Sequence, residues 1–303
     1  MDIYLPVAEM AVNALVIVAL GGLVGVLSGL FGVGGGFLTT PLLIFYGVPP
    51  TVAVASATTQ VTGTSVSGAA AHMRRGGVDF HMAGVMIVGG ILGSLSGVVI
   101  FRLLQASGQV DLVIGFLYVL LLGGIGSLML RDAAVALGWI DPPTRKGPRR
   151  RHRRWIAALP GRWRFYASGL YISPIAPALV GYGAGVLTVL LGVGGGFIVI
   201  PAMIYILGMA ARVVVGTSLV MILAVSAVTT LIHSLTTQAV DIVLAILLLL
   251  GSVIGAQYGA VIAQKVKPDY LRLALALIIM AVALRMFLGL TYRPDDIFTV
   301  TIL

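Results

Sequence analysis

The chain has 303 residues, of which 59% are hydrophobic and only 10% are charged, and its mean hydropathy is +1.10. A composition this apolar excludes a water-soluble domain of the same length. The absence of cysteine excludes disulfide bonds and thiolate metal sites.

Ten apolar segments follow one another along the chain, five on each side of a basic stretch. In the first half they lie at about 7–31, 37–46, 52–73, 80–103 and 112–130. In the second half they lie at about 166–191, 197–207, 213–233, 242–263 and 271–288. Most have the roughly 20 residues that cross a hydrocarbon core, but the second of each half reaches only about 15 Å as a helix. The sequence predicts an all-α polytopic membrane protein in which each half has five segments, one of them short and broken or re-entrant.

The net charge of +9 is concentrated in the proline-broken stretch between the halves. We interpret 132–165 as a cytoplasmic linker that faces anionic lipid head groups. Its position between membrane segments argues against a nucleic-acid-binding role. The other units are a first repeat at 1–131, a second repeat at 166–290 and a C-terminal tail at 291–303.

Both short segments begin at the same glycine-rich motif. Gly32–Phe37 (GVGGGF) recurs as Gly192–Phe197, and a proline follows the last glycine by five positions in each case. Four glycines in five positions disfavour a continuous helix and let backbone N–H groups approach a ligand. Within lipid, such a break is tolerated only where it is buried in protein or lines a polar cavity. We therefore predict that the two motifs form the functional centre. A plain loop between two shortened spans is the alternative.

The two halves look like copies of one unit in opposite orientations. The offset between matching positions is 160 residues at the glycine motif and 162 at Asp79 and Asp241, as expected for a duplication with a small loop insertion. Because each half has an odd number of segments, the second half is inverted relative to the first in the membrane. With both termini outside the cell, only Arg102, Arg285 and Arg293 of the basic residues lie outside. The positive-inside rule favours this inverted arrangement.

The start of each short helix would bring unpaired N–H groups and a partial positive charge into the membrane interior. Two such ends, one from each half, would form a site for an anion. All ten carboxylates lie in termini, loops or segment edges, so none is placed to bind a cation at mid-membrane.

Backbone amides of the motifs and nearby hydroxyl and amide side chains are therefore the candidate substrate-binding groups. They are Gly32, Gly34, Gly35, Gly36, Thr58, Thr59, Gln60, Gly192, Gly194, Gly195, Gly196, Thr217 and Ser218. For the hydroxyls further along the third segment, helix packing is at least as good an explanation as ligand binding: Thr62, Thr64, Ser65 and Ser67. In the fourth segment of each half, three glycines are spaced four residues apart: Gly89, Gly93 and Gly97, and Gly251, Gly255 and Gly259. We expect these glycines to serve helix packing alone.

The doubled motif with its proline, together with Ser56–Thr59 and Gly216–Leu219, resembles the TauE/SafE family of sulfite and organosulfonate exporters. The resemblance covers both halves and leaves out the basic linker. It implies a bacterial inner-membrane permease of two related halves that moves sulfur oxyanions or sulfonates. Val220, Met221 and Ile222 depart from it, since they replace polar neighbours of the second hydroxyl cluster.

These observations lead us to expect a secondary transporter for a small sulfur-containing anion, working by alternating access. No Walker A motif is present, so transport driven by ATP within this chain is unsupported. We also expect no cofactor. The main alternative is an anion channel or a transporter of a different small solute. An intramembrane protease is less well supported, since the nearest Ser-Gly string, Val26–Gly29, lacks the preceding glycine and no paired mid-membrane aspartates exist. The sequence does not define the coupling ion, the direction of transport or the oligomeric state.

Overall fold

The computed structural model describes residues 2–31, 35–74, 76–139, 160–209, 211–263 and 268–291. Within these ranges the same series of elements occurs twice: a β-hairpin, a helix, a short helix and three long helices. The first series is β1 (Asp2–Leu5), β2 (Met10–Asn13), α1 (Ala14–Phe31), α2 (Gly36–Phe45), α3 (Pro50–Arg74), α4 (Phe80–Ala106) and α5 (Val110–Ala136). The second is β3 (Trp163–Phe165), β4 (Leu170–Ile172), α6 (Ile175–Leu191), α7 (Gly196–Pro201, continuing as a π-helix at Ala202–Leu207), α8 (Ala211–Thr236), α9 (Ile242–Ala263) and α10 (Pro268–Thr291).

Five of the described helices are long and apolar enough to cross a membrane: α4, α5, α8, α9 and α10. The shorter helices α1, α2, α6 and α7 are apolar as well. Leu112, Phe116 and Leu120 of α5 leave more than half of their side-chain surface exposed, as expected for a face in contact with lipid rather than water. The prediction of a polytopic helical membrane protein is confirmed.

The prediction of an all-α chain is wrong at the start of each half, where a β-hairpin precedes the first helix. In the first hairpin, Leu5 pairs with Met10 next to the turn. In the second hairpin, Trp163 pairs with Ile172 at the open end. Leu5 is buried and its neighbour Tyr4 is exposed, an alternation with a period of two. Because a long apolar run follows directly, the sequence pattern predicts this short alternation as part of the helix. The first helices therefore begin at Ala14 and Ile175 rather than at about 7 and 166.

Two structural elements extend into the range assigned to the linker. Helix α5 continues to Ala136, and β3 begins at Trp163. The central part of the linker, 140–159, and most of the C-terminal tail, 292–303, lie outside the described residues.

The first helix of each half packs on the fourth helix of the other half through glycines. A Cβ atom on Gly21 or Gly25 of α1, or on Gly251 of α9, would lie within 3.0 Å of a backbone oxygen of the facing helix. Helices α6 and α4 meet in the same way at Gly181 and Gly89. Small residues allow such close backbone approach in membranes. The packing role expected of the glycines in α4 and α9 is confirmed.

Equivalent helices of the two halves cross in opposite directions. Gly115 of α5 lies beside Leu290 of α10, whereas Gly126, further along α5, lies beside Ile279, earlier in α10. In the central pair, Thr62 of α3 lies 3.5 Å from Thr230 of α8, and Gly68 of α3 contacts the earlier residue Leu219. Helices α5 and α10 are therefore antiparallel, as are α3 and α8.

The buried carboxylate of Asp79 holds the second hairpin against the first half. One oxygen accepts the Met82 N–H at 3.0 Å and caps α4. The other oxygen accepts the backbone N–H of Ser168, in the β3–β4 turn, at 3.0 Å and also the Ser168 hydroxyl. The N–H of Asp79 itself donates to Thr217 Oγ1 of α8 at 2.9 Å.

Asp241 makes the corresponding set of bonds at the start of α9. One carboxylate oxygen accepts the Leu244 N–H at 3.1 Å, and the other accepts the N–H of Val7, in the β1–β2 turn, at 3.0 Å. Its own N–H donates to Ser56 Oγ of α3 at 3.2 Å. Each hairpin is thus bonded to the capped helix of the opposite half.

Candidate functional site

The second glycine motif forms a tight bend in the left-handed backbone region. Gly192, Gly194 and Gly195 have φ angles of 70°, 70° and 77°. Other residue types rarely adopt such values without strain, so the conformation explains why glycines occupy these positions. Helix α7 begins directly after the bend, at Gly196.

The first motif also leads directly into a short helix, but Gly35 has a right-handed φ of −68° where Gly195 is left-handed. Gly35 is the N-cap residue of α2, which begins at Gly36. Its carbonyl oxygen accepts the N–H groups of Leu38 and Thr39, as the Gly195 oxygen accepts those of Ile198 and Val199 in α7. The predicted site residues Gly32 and Gly34 lie outside the described residues.

The starts of α2 and α7, which we call the two tips, touch each other. The rings of Phe37 and Phe197 are stacked, with centroids 4.6 Å apart and an interplanar angle of 9°. A Cβ atom on Gly36 would lie 2.8 Å from the Val193 oxygen and 2.9 Å from the Gly192 oxygen. The head-to-head meeting of the two short helices therefore brings described parts of both motifs together.

The tips lie at the middle of the helical bundle. Val61, near the midpoint of the 25-residue helix α3, contacts the Cβ positions of both Gly36 and Gly194. Ile222, near the midpoint of the 26-residue helix α8, lies 3.4 Å from the Cβ position of Gly194. The tips therefore lie at mid-length of both central helices, α3 and α8.

This arrangement brings the starts of two helices together, with the Gly192 and Val193 oxygens of the second motif facing Gly36. The first N–H groups of any helix have no acceptor within that helix, and the helix dipole adds about half a positive charge. Gly35, Gly36 and the motif Gly192–Gly196 are all buried, so water does not solvate these groups in this conformation. An anion is a chemically suitable partner for them.

Gln60 is bonded to the first tip through one threonine. Thr39 Oγ1 donates to Gln60 Oε1 at 2.8 Å and lies 3.2 Å from the Gly35 oxygen. Gln60 is only 1% exposed, yet among the described residues its Nε2 has no hydrogen-bond partner. A buried donor without a partner costs roughly 1–3 kcal/mol, which a bound acceptor would recover.

A second group without a hydrogen bond of normal geometry comes from α2. Thr40 is completely buried, and its Oγ1 meets no partner of suitable distance and angle within the described ranges. The Tyr118 hydroxyl of α5, which donates to the Leu191 oxygen, is its polar neighbour. Thr40 Oγ1 lies 3.0 Å from the position that a Cβ on Gly192 would occupy, so it reaches the tip of the other half. Sequence reasoning missed Thr39 and Thr40. The signal available was two hydroxyl residues directly after the first motif, in a segment otherwise almost entirely apolar.

The other predicted hydroxyls are engaged locally. Thr58, Thr59 and Ser218 donate to carbonyl groups of their own helices, at 2.8, 3.1 and 2.9 Å. Thr58 shares the tip-facing side of α3 with Val54 and Val61, because these residues are spaced four and three apart.

Thr217 is not brought to the tips. Its oxygen accepts the Asp79 N–H at the start of α4, about one and a half turns from Ile222 along α8. Its nearest partners belong to the hairpin and loop at one end of the bundle.

Comparison with known proteins identifies relatives along nearly the whole chain. The family model described as "Sulfite exporter TauE/SafE" matches residues 17–286. A "Probable membrane transporter protein" of Xylella fastidiosa (strain Temecula1) is 29% identical over 280 residues, which cover 91% of this chain and 95% of the relative. No solved structure matches the chain.

Two relatives from Bacillus subtilis (strain 168) carry similar names. "Probable membrane transporter protein YjnA" is 31% identical over 276 residues, covering 89% of this chain and 98% of the relative. "Probable membrane transporter protein YunE" is 27% identical over 261 residues, covering 83% and 89%. The family match over both glycine motifs, on a polytopic helical fold, shows that the chain belongs to the TauE/SafE family of membrane transporters.

Proposed function

We propose that the protein is a secondary transporter that moves a small sulfur-containing anion, such as sulfite or an organosulfonate, across the bacterial inner membrane. The observation that carries this proposal is the contact between the two tips at the middle of the bundle. The names of the relatives support transport in general, and the family description supports sulfite as a model substrate.

The mechanism we propose is alternating access between two inverted repeats. The antiparallel crossings of α3 with α8 and of α5 with α10 support inversion, because each pair joins equivalent helices of the two halves. Rocking of one half against the other would then expose the tips to one side at a time. The burial of Gly35 and of the whole second motif fits an occluded step of such a cycle.

The same proposal sets the orientation in the membrane. With both termini outside, the linker at 132–165 is cytoplasmic and lies near anionic lipid head groups. Accessibility mapping of the two termini tests this orientation.

In this proposal the anion is held by backbone N–H groups of Gly34, Gly35 and Gly36 and of Gly194, Gly195 and Gly196, with Gly32 and Gly192 as further binding residues of the two motifs. Gln60 is the side chain with the strongest support, because its amide nitrogen is buried and unpaired. Thr58 and Thr59 of α3 would contribute after releasing their present helix carbonyls. Ser218 and Thr217 would contribute only after movement of α8.

Neutral donors can replace a buried cation if there are enough of them. A hydrogen bond to a charged group contributes about 1.5–3 kcal/mol. Taking an ion out of water costs several kcal/mol, so several converging donors are required. Two helix starts and a side-chain amide provide such a set.

Transport by the purified protein in liposomes tests the proposal. We expect uptake of labelled sulfite against its gradient when an unlabelled anion is trapped inside. A channel gives only downhill flux, which separates it from a transporter. Gly195→Leu should abolish uptake, because its φ of 77° and the Ala184 Cβ, 3.1 Å away, leave no place for a side chain. The control is Gly183→Leu, at a position in α6 where a Cβ meets nothing within 4 Å. Equal uptake by wild type and Gly195→Leu would contradict the proposed site.

A further inference from the structure

The two tips carry the same glycine motif and unequal side chains. Thr39 and Thr40 follow the first motif, where the second half has Val199 and Ile200. Gln60 of α3 corresponds to Met221 of α8, since the adjacent residues Val61 and Ile222 both contact Gly194. The side-chain donors at the tips therefore come from the first half.

Two of these first-half groups make no hydrogen bond of normal geometry. Gln60 Nε2 and Thr40 Oγ1 meet no partner of suitable distance and angle among the described residues, although both side chains are at least 99% buried. The Tyr118 hydroxyl, which donates to the Leu191 oxygen, is the polar neighbour of Thr40. Buried polar groups are almost always satisfied by protein, water or ligand. Their positions beside Gly35 and Gly192 assign them to a ligand between the tips.

The groups available to that ligand are all neutral. Every arginine whose side-chain burial the structure describes is exposed: Arg74, Arg102, Arg131, Arg162, Arg164 and Arg285. The cost of taking an ion out of water rises with the square of its charge, so a dianion pays about four times as much as a monoanion of equal size. Its attraction to neutral dipoles only about doubles.

We propose that the site selects singly charged oxyanions over doubly charged ones and that Thr40 and Gln60 hold the anion from the first-half side. This inference rests on the proposed function, because it takes the tips to be the substrate site. It adds the charge state of the substrate and the side chains that recognise it. Met221 and Ile200, at the equivalent positions of the second half, do not contact the anion.

Binding of two tetrahedral sulfur oxyanions tests the charge selection. Titration of the purified protein in nanodiscs with methanesulfonate, a monoanion, and with sulfate, a dianion, compares them at constant pH and ionic strength. We expect methanesulfonate to bind at least about tenfold more tightly. Sulfate binding of equal or greater affinity would overturn the inference and leave the proposed function standing. If neither these anions nor sulfite bind or are transported, the proposed function itself fails.

Substitution by an apolar residue of similar size tests the two side chains. Gln60→Met and Thr40→Val should each weaken methanesulfonate binding by about tenfold, the loss expected for one hydrogen bond to an anion. Met221→Leu is the matched control and should change binding by less than about twofold. Thermal unfolding of each variant separates lost contacts from lost folding. Unchanged binding in folded Gln60→Met and Thr40→Val would overturn the assignment of these residues.

A second inference rests on the two capping carboxylates and does not depend on the anion site. Ser56 and Thr217, which accept the N–H groups of Asp241 and Asp79, lie near the starts of α3 and α8. Because α3 and α8 are antiparallel, the two carboxylates lie at opposite ends of the bundle. Each end therefore has one hairpin, held by one carboxylate.

We propose that Asp79 and Asp241 are latches that keep the hairpins closed over the two ends of the bundle and that each releases when its own end opens. Asn in place of Asp has one acceptor oxygen, so it can keep the helix cap or the bond to the hairpin turn but not both. The substitution should therefore loosen one hairpin and leave the opposite end closed.

Single introduced cysteines report on each end, because the chain has none of its own. Ala8, in the first hairpin turn, and Ala176, in the core beneath the second hairpin, are both 7% exposed. In Ala8→Cys, adding Asp241→Asn should raise the rate of maleimide labelling by about tenfold, whereas Asp79→Asn should not. In Ala176→Cys the pattern should reverse. Equal acceleration at both ends, or none at either, would overturn the proposal.

Discussion

Phe37 and Phe197 stack face to face, with their ring centroids 4.6 Å apart, and each directly follows the last glycine of its motif. The two rings are at most 2% exposed and belong to one buried apolar cluster with residues of both halves. The stack therefore joins the two tips without adding a polar group.

Truncating this pair should weaken folding. Phe37→Ala should lower the free energy of unfolding by about 3–5 kcal/mol, as for other fully buried phenylalanines. In a double-mutant cycle with Phe197→Ala, the coupling should be about 0.5–1.5 kcal/mol, the value for a stacked pair. Denaturant unfolding in detergent measures both quantities. Additive effects of the two substitutions would show that the stack itself contributes nothing.

Gly36→Ala should separate the tips without breaking α2. Alanine is a better helix former than glycine, but its Cβ would lie 2.8 Å from the Val193 oxygen. We expect normal membrane insertion and at least a tenfold loss of sulfite uptake in proteoliposomes. Gly84→Ala, in α4, where a Cβ meets nothing within 4 Å, is the control. Full uptake by Gly36→Ala would argue against close contact between the tips.

Charge at residue 60 should decide whether the anion binds. Gln60→Glu keeps the size of the side chain and replaces the unpaired donor with a carboxylate. A like charge near the anion should reduce sulfite uptake by at least about a hundredfold. Gln60→Asn should be milder, since it keeps a donor at a shorter reach. Uptake rates of the two variants at equal protein amounts provide the comparison, and a smaller loss in Gln60→Glu than in Gln60→Asn would contradict the account.

Glycines of α1 at its contact with α9 should differ in how well they tolerate substitution by alanine. A Cβ on Gly21 would collide with the backbone of Leu248, whereas one on the adjacent Gly22 would lie 3.7 Å from the nearest atom. Gly21→Ala should therefore lower the melting temperature by several degrees, and Gly22→Ala should leave it almost unchanged. Differential scanning fluorimetry measures the melting temperatures of the two variants. Similar melting temperatures for both would contradict this prediction.

Much of the fold could be predicted from sequence because the relevant signals were long or repeated. Apolar runs indicated the long helices, and the doubled glycine motif indicated the short helices α2 and α7. The hairpins could not be recognised in this way. Their strands are three or four residues long, and bonds from Asp79 and Asp241, distant in sequence, hold their turns in place.

The candidate site was predictable in its backbone and less so in its side chains. Glycines at left-handed positions leave a sequence signature, so the motif around Gly194 was evident. The burial of Thr40 and Gln60 depends on helices α2, α3 and α5 packing together, which no local pattern reveals. Thr217 carried the expected chemistry, but the crossing of α8 with α4 directs it to Asp79.

The central claim is that the two tips bind the transported anion. Its most direct measurement is a cryo-EM structure of the protein at high resolution, with and without saturating sulfite. The account predicts added density between the starts of α2 and α7, within hydrogen-bond distance of backbone N–H groups from both and of Gln60 Nε2. Sulfite density elsewhere in the protein, with the region between the tips unchanged, would contradict it.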